Sequence, residues 1–401
     1  MEQATTTNLI AVSLAMAAGA VIPALLPALP IPGVVLEIVF GAVIGPQVLD
    51  VVHPGVPLNL LANLGLAMLF LMAGFEMDPA VMRGRPLRNA LTGWALTAAI
   101  AFAAALLLTT AGLASAWLLT GLALTTTTIG TLLPVLRDAG LLAPPYGPMV
   151  LAAGAIGEAG PVIVLSLVLA EGRAGQQALI MIAFAAGAVG AVALAARASD
   201  GLFAGVVERT MRTSGQLPMR LALCLLILLV VLSQALDIDL VLGAFVAGAV
   251  VRAALPLDHH EAMSARLDGI GSAFLVPIFF VTSGVRLDVA SLFSNPVALA
   301  MVVVYALLML IARGVPALLL YRSDLTRRQR IALALHCGTQ LPLVVAITSI
   351  AVHHGLMPGD QGAALVGGGI VTVVLFPALA RRVLQKPALT AVRGIADHRA
   401  R

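Results

Sequence analysis

Along this chain, apolar residues run together for about twenty positions at a time, and short clusters of Pro, Gly and Arg separate the runs. An α-helix rising 1.5 Å per residue needs about twenty such residues to cross the ~30 Å hydrocarbon core of a bilayer. The pattern predicts about thirteen spans, near 8–28, 31–48, 58–77, 89–110, 115–136, 148–170, 175–196, 219–236, 239–255, 269–286, 295–320, 330–352 and 362–380. A membrane barrel would alternate apolar and polar positions, and these runs do not. Since lipid offers backbone groups no partners, the fold class is an all-α polytopic membrane protein. Pro30 and Pro32 leave a very short connection between the first two spans, and Pro277 interrupts the tenth.

Composition narrows this further. Of 401 residues, 60% are hydrophobic and only 10% charged, and the mean hydropathy is +1.05. Once thirteen spans are placed, little chain is left for an extramembrane domain, so the whole of 1–401 reads as one transmembrane domain with a short basic tail at about 381–401. The net charge of +4 could suggest a nucleic-acid partner, but topology accounts for it. With the N-terminus outside and the C-terminus cytoplasmic, twenty of the 23 basic residues fall on the inner side. Arg173 and Arg286 fall outside, and Arg313 lies within a span. This places a multi-pass protein in the plasma (inner) membrane, with no nucleic-acid partner and no cofactor. Cys224 and Cys337 sit in apolar runs, with no disulfide or metal-binding spacing. Residues 1–8 carry no basic residue, so the first run does not read as a cleaved signal peptide.

The sequence contains a faint repeat. FLMAGFEMD at 70–78 returns as FVTSGVRLD at 280–288, and Gly41, Ala42 and Gly45 are echoed by Gly243, Ala244 and Gly248. Spans two to six then match spans nine to thirteen, giving repeats at about 31–170 and 239–380. A shift of seven spans is odd, so the halves are inverted, which is a transporter architecture. Two runs combine hydroxyls, Gly and Pro as unwound helices do: LTTTTIGTLLP at 124–134 and HCGTQLP at 336–342. They are the expected crossed, discontinuous helices, with Thr127, Thr128, Thr339 and Gln340 at their centres.

Charges at membrane depth mark function. Glu158 lies about 15 Å and Arg313 about 12 Å from the inner ends of their spans, counted at 1.5 Å per residue. At similar depth they can pair or share a cavity. Each is followed three residues later by proline, Pro161 and Pro316, which frees the carbonyls of Gly157 and Ala312. A carboxylate beside a free carbonyl and hydroxyls suits a hard cation, so Glu158, with Gly157, is the expected cation and proton site. Desolvation opposes its charge, while Arg313 or a bound cation favours it. Glu37, in the second span, is a further acid read as structural or gating. Glu76, Asp78 and Arg83 read as loop anchors, His336 as a packing group, and His259 and His260 as loop residues.

PGVVLEIVFGAVIGP at 32–46, LFLMAGFEMD at 69–78, TTIGTLLPVL at 127–136, LGAFVAG at 242–248 and PIFFVTSG at 277–284 together resemble the monovalent cation:proton antiporter superfamily. The similarity is to the sodium/hydrogen exchanger-type membrane domain shared by NapA-like antiporters and glutathione-gated potassium-efflux systems. It implies an NhaA-like antiporter fold, a homodimer, elevator-type alternating access, and exchange of Na+ or K+ for protons in pH homeostasis. By position, Glu158 matches the ion-binding aspartate, Thr127 and Thr128 the broken-helix hydroxyls, and Arg313 the basic residue of the core. The usual acidic pair, or Asn-Asp or Gln-Asp, is here Gly157 and Glu158. One titratable acid beside a permanent cation implies electroneutral exchange. The tail after Ala380 is about twenty residues, too short for the nucleotide-binding domain of gated potassium-efflux proteins. An organic-solute transporter and a non-transporting sensor on the same fold are the alternative readings. An enzyme is the weakest, because no His-Glu-x-x-His, Ser/His or paired-Asp arrangement lies in the spans.

Overall fold

The computed structural model describes residues 2–25, 32–76, 84–128, 132, 136, 140–168, 174–198, 210, 216–236 and 240–385. Every regular element among them is helical. In chain order these are α1 (Glu2–Leu25), α2 (Gly33–Ile44), α3 (Val56–Glu76), α4 (Gly84–Thr110), α5 (Trp117–Leu124), α6 (Tyr146–Val168), α7 (Ala174–Ala198) and α8 (Leu217–Ala235). There follow α9 (Leu240–Ala254), α10 (His260–Ile270), α11 (Val276–Val285), α12 (Val289–Ser294), α13 (Pro296–Leu320), α14 (Arg327–Cys337), α15 (Pro342–His353) and α16 (Gly359–Gln385).

Among the described residues, nine helical segments are long and apolar enough to cross a membrane, and Gly33–Ile44, Ala186–Ala195 and Leu240–Ala254 are shorter apolar helices. The helices coincide with the expected spans. The fifth falls on α5 and the residues after it, and the twelfth on α14 and α15. The tenth is longer than its apolar run: a helical path from Leu257 to Val285 passes through a single π-helical stretch, Gly271–Leu275. Pro277 therefore does not end it. A proline crowds the carbonyl four residues before it, and the wider turn just upstream takes up the misfit.

Polar caps set where chain re-enters the bundle. Asn295 accepts from the amides of Val297 and Ala298 at the head of α13, where Pro296 supplies a preset first turn. Thr326 and Gln329 form a capping box on α14.

The helices sort into two bundles. In one, α2 packs on α1 and α11, α3 on α9 and α11, and α9 on α8. In the other, α4 packs on α5, α6 and α13, and α13 on α14 and α16. Between them α6 meets α9, and α15 meets α11, over small patches. The first bundle is joined backbone to backbone. A Cβ on Gly41 would lie 2.0 Å from the carbonyl oxygen of Val281, and one on Gly284 2.1 Å from that of Ile38. Gly74 and Gly248 repeat this against the carbonyls of Phe245 and Leu71, each at 2.0 Å. Only a residue without a side chain allows such an approach.

Candidate functional site

Two helices break within their apolar runs. After Leu124 the helix ends, and the hydroxyls of Thr125 and Thr126 turn back onto the carbonyls of Leu122 (2.7 Å) and Ala123 (2.9 Å). Serine and threonine compete with helix bonding in this way. The second break, residues 338–341, separates α14 from α15. Pro342 disfavours helical backbone at the residue before it, and Leu341 stands at φ −152°.

The broken segments cross. The Thr128 amide donates to the Thr339 carbonyl (3.2 Å), and the Leu341 amide donates to the Thr128 hydroxyl (3.3 Å). The Thr127 hydroxyl donates to the Cys337 carbonyl (2.8 Å). Gln340 reaches back, its Nε2 donating to the Leu124 carbonyl (3.2 Å) and its Oε1 accepting from the Thr126 hydroxyl (3.1 Å). From α16, Thr372 accepts the Gln340 amide (3.0 Å). The Thr339 hydroxyl stays within its own helix, on the Leu335 carbonyl (3.0 Å). All of these side chains are buried, so each bond satisfies a group that would otherwise cost about 1–3 kcal/mol.

Glu158 and Arg313 enter from α6 and α13, both buried. The Gly157 carbonyl, freed by Pro161, does not stay open: the Thr127 amide donates to it at 3.1 Å. The expectation of a wholly free carbonyl beside Glu158 is corrected, because the crossing segment brings the missing donor. Arg313 directs its hydrogen bonds to carbonyls and not to Glu158. Its Nη2 donates to Ala153 (2.9 Å) and its Nε to Cys337 (3.4 Å). Cys337 closes α14, where the helix dipole favours a cation. A Cβ on Gly157 would lie 2.4 Å from Arg313 Nη2 and 2.8 Å from the Thr127 Cβ. The guanidinium thus occupies the space that a side chain at 157 would fill.

Glu158 and Thr128 face a cavity of about 230 Å³, whose walls also carry Glu37, Glu76, Asp268 and Ser272. Glu37 stands on α2 and lines this cavity together with Glu158. A second cavity of about 210 Å³ opens farther along α15, lined by Arg286, Asp288, Thr348, Ser349 and His353. Glu158 does not line it.

The structure therefore gathers Thr127, Thr128, Gly157, Glu158, Arg313, Thr339 and Gln340, with Glu37 on the wall of the cavity that Glu158 lines. Glu76, read as a loop anchor, lies on the cavity wall. His260, read as a loop residue, heads α10 with Nε2 3.1 Å from the Arg252 carbonyl and 3.0 Å from that of Leu255. His336 is buried with its Nδ1 2.7 Å from the Tyr146 hydroxyl. Asp78, Arg83, Gly130, Pro134 and the tail after Gln385 lie outside the described residues. Sequence reasoning passed over Thr372. Its signal is the preceding Gly367, Gly368 and Gly369, which let α16 approach so closely that a Cβ on Gly369 would lie 2.8 Å from the Gln340 carbonyl oxygen.

Comparison with known proteins follows the same line. The profile of the family described as "Sodium/hydrogen exchanger, transmembrane" matches residues 13–386. A protein of Bacillus subtilis (strain 168) named "Putative Na(+)/H(+) antiporter YjbQ" is 27% identical over 375 residues, covering 89% of this chain and 60% of its own length. This chain thus spans less than two thirds of that relative. The "High-affinity Na(+)/H(+) antiporter NhaS3" of Synechocystis sp. (strain ATCC 27184 / PCC 6803 / Kazusa) is 26% identical over 275 residues, 66% of this chain and 58% of its own. Among solved structures, the sodium proton antiporter MjNhaP1 from Methanocaldococcus jannaschii, at pH 8, superposes with a TM-score of 0.66 at 15% identity, over 95% of this chain and 99% of its own. That likeness concerns the fold.

Proposed function

This chain belongs to the sodium/hydrogen exchanger family, and on that premise we propose that it is a secondary transporter exchanging a monovalent cation, Na+ or K+, for protons. The family is one of multi-pass integral membrane proteins. The observation that carries the proposal is a buried carboxylate, Glu158, placed at the crossing of two interrupted helices and lining a cavity.

The chemistry is competition for one carboxylate. Glu158 holds a proton or a cation. A hard cation prefers oxygen ligands, and the Thr128 hydroxyl, which lines the same cavity, is a candidate besides Glu158. The Thr127 hydroxyl is turned to Cys337 and serves the crossing. Arg313 offers no proton; its fixed charge offsets that of Glu158, which makes exchange one-for-one and electroneutral.

For alternating access we propose an elevator. Its support is the contrast between a bundle locked by glycine contacts and a second bundle that meets it over small patches, with one cavity on each side of the first turn of α15. Inverted repeats at about 31–170 and 239–380 are supported by exchangeable pairings: α2 with α11 answers α9 with α3, and α4 with α6 answers α13 with α16. The basic residues support an outside N-terminus and a cytoplasmic C-terminus in the plasma (inner) membrane. The cavity at Glu158 then faces the cytoplasm. A homodimer completes the proposal, by resemblance to the superfamily.

The test is dissipation of a pH gradient in proteoliposomes on adding Na+, K+ or Li+. Wild type is expected to respond to at least one cation, and Glu158→Gln to none. A wild-type protein silent to all three ions sinks the proposal.

A further inference from the structure

We propose that Glu37 is a second proton-binding site, fixed on the wall of the cavity it shares with Glu158, that passes protons between the cytoplasmic end of the cavity and Glu158. The inference deepens the antiporter reading and rests on it for its direction.

Glu37 is 9% exposed, and its residual surface lies in the cavity it shares with Glu158 and Thr128. Among the described residues, no hydrogen bond or ion pair reaches its carboxylate. A buried charge without a partner costs several kcal/mol, and a methionine or leucine would fill the same slot at no such cost. Room has been made for it: a Cβ on Gly19 of α1 would lie 2.9 Å from the Glu37 Cγ, so the acid packs against bare backbone. The groups facing the cavity from the surrounding helices are Glu76 of α3, Glu158 of α6 and Asp268 of α10. Among the described residues no basic side chain lines it, and the single charged residue of α1 is Glu2, at its far end. Among the described residues nothing neutralises the Glu37 anion, which leaves that to a proton or a passing cation.

Position gives this group its task. Glu37 is part of the glycine-locked bundle, four residues before Gly41, whereas Glu158 belongs to the other bundle. When a cation displaces the proton of Glu158, that proton moves to the Glu37 carboxylate, forming a neutral acid, and leaves from there to the cytoplasm. In the reverse direction, Glu37 takes up a proton from the cytoplasm and hands it to Glu158 as the cation leaves. The proton is conserved at each step, and charge moves only between the two carboxylates and the cation.

Two measurements test it. In proteoliposomes, Glu37→Gln is expected to slow exchange about tenfold at alkaline pH, where a relay matters most because protons are scarce, with a cation concentration for half-maximal rate within about twofold of wild type. Equal slowing at every pH, or none, overturns the proposal. Infrared titration of the purified protein reads the site without transport. A protonated-carboxyl band retained in Glu158→Gln and lost in the double variant Glu37→Gln/Glu158→Gln supports it; a band that the second substitution leaves unchanged overturns it. Loss of exchange in wild type would sink the antiporter reading and leave the infrared result standing by itself.

Discussion

Gly157 and Arg313 fit one another as a missing side chain fits its substitute. Gly157→Ala sets a methyl 2.4 Å from Arg313 Nη2 and 2.8 Å from Thr127, so the guanidinium must leave the carbonyls of Ala153 and Cys337. Overpacking of this kind costs about 1–3 kcal/mol. The expected outcome is a lower melting temperature in detergent and slower exchange, both partly recovered in Gly157→Ala with Arg313→Lys, whose unbranched ammonium needs less width. Equal defects in the single and double variants would show that the two positions act separately. Outside the membrane, Asp324 accepts from Ser323, Arg85 and Asn89, which hold its carboxyl below the usual carboxylate range. A depressed folded value means that the contribution is present above the unfolded value of about 3.9 and fades as pH falls through the lower folded one. Arg85→Ala is therefore expected to lower the melting temperature slightly at pH 7 and less at pH 3. Arg85 is largely exposed, so the effect belongs to the range of about 0–1 kcal/mol.

At the scale of helices, close approach decides tolerance. Gly284→Ala drives a methyl to 2.1 Å from the Ile38 carbonyl oxygen, whereas a Cβ on Gly187 meets nothing within 4 Å. The first substitution is expected to separate α2 from α11 and cut the yield of folded protein in a fluorescence melting assay. The second should match wild type or gain a little from helix propensity. Equal melting curves would refute the lock. The helices themselves were legible in the sequence, because runs of apolar residues report directly on lipid. Thr127, Thr128, Glu158 and Arg313 were legible because polar groups at membrane depth are costly and few. The meeting of Thr126 with Gln340, 214 positions apart, was not, since the expected crossing of the two broken helices carries no residue-by-residue register. The π turn before Pro277 was hidden for a related reason: strain at a proline reads alike in sequence whether the helix ends or merely widens.

For the whole molecule, the balance of Glu158 against Arg313 leads to a measurement on the vesicle. If one proton replaces one monovalent cation, a potassium–valinomycin potential at equal Na+ and proton concentrations on both sides is expected to drive no net Na+ uptake. Uptake that follows the potential would replace electroneutral exchange with an electrogenic one. The crossing at the centre bears on how such a molecule can be dissected at all. Two of its ties, Thr127 to Gly157 and Thr128 to Thr339, run from main-chain amide to main-chain carbonyl. A mutational scan that exchanges side chains leaves both in place, so Thr127→Ala and Thr128→Ala will understate what those residues hold together. Replacing the amide of residue 127 or 128 by an ester oxygen, through semisynthesis or a hydroxy-acid codon, removes the donor and nothing else. Chemistry at that level, and not a change of amino acid, is the tool suited to cutting the knot.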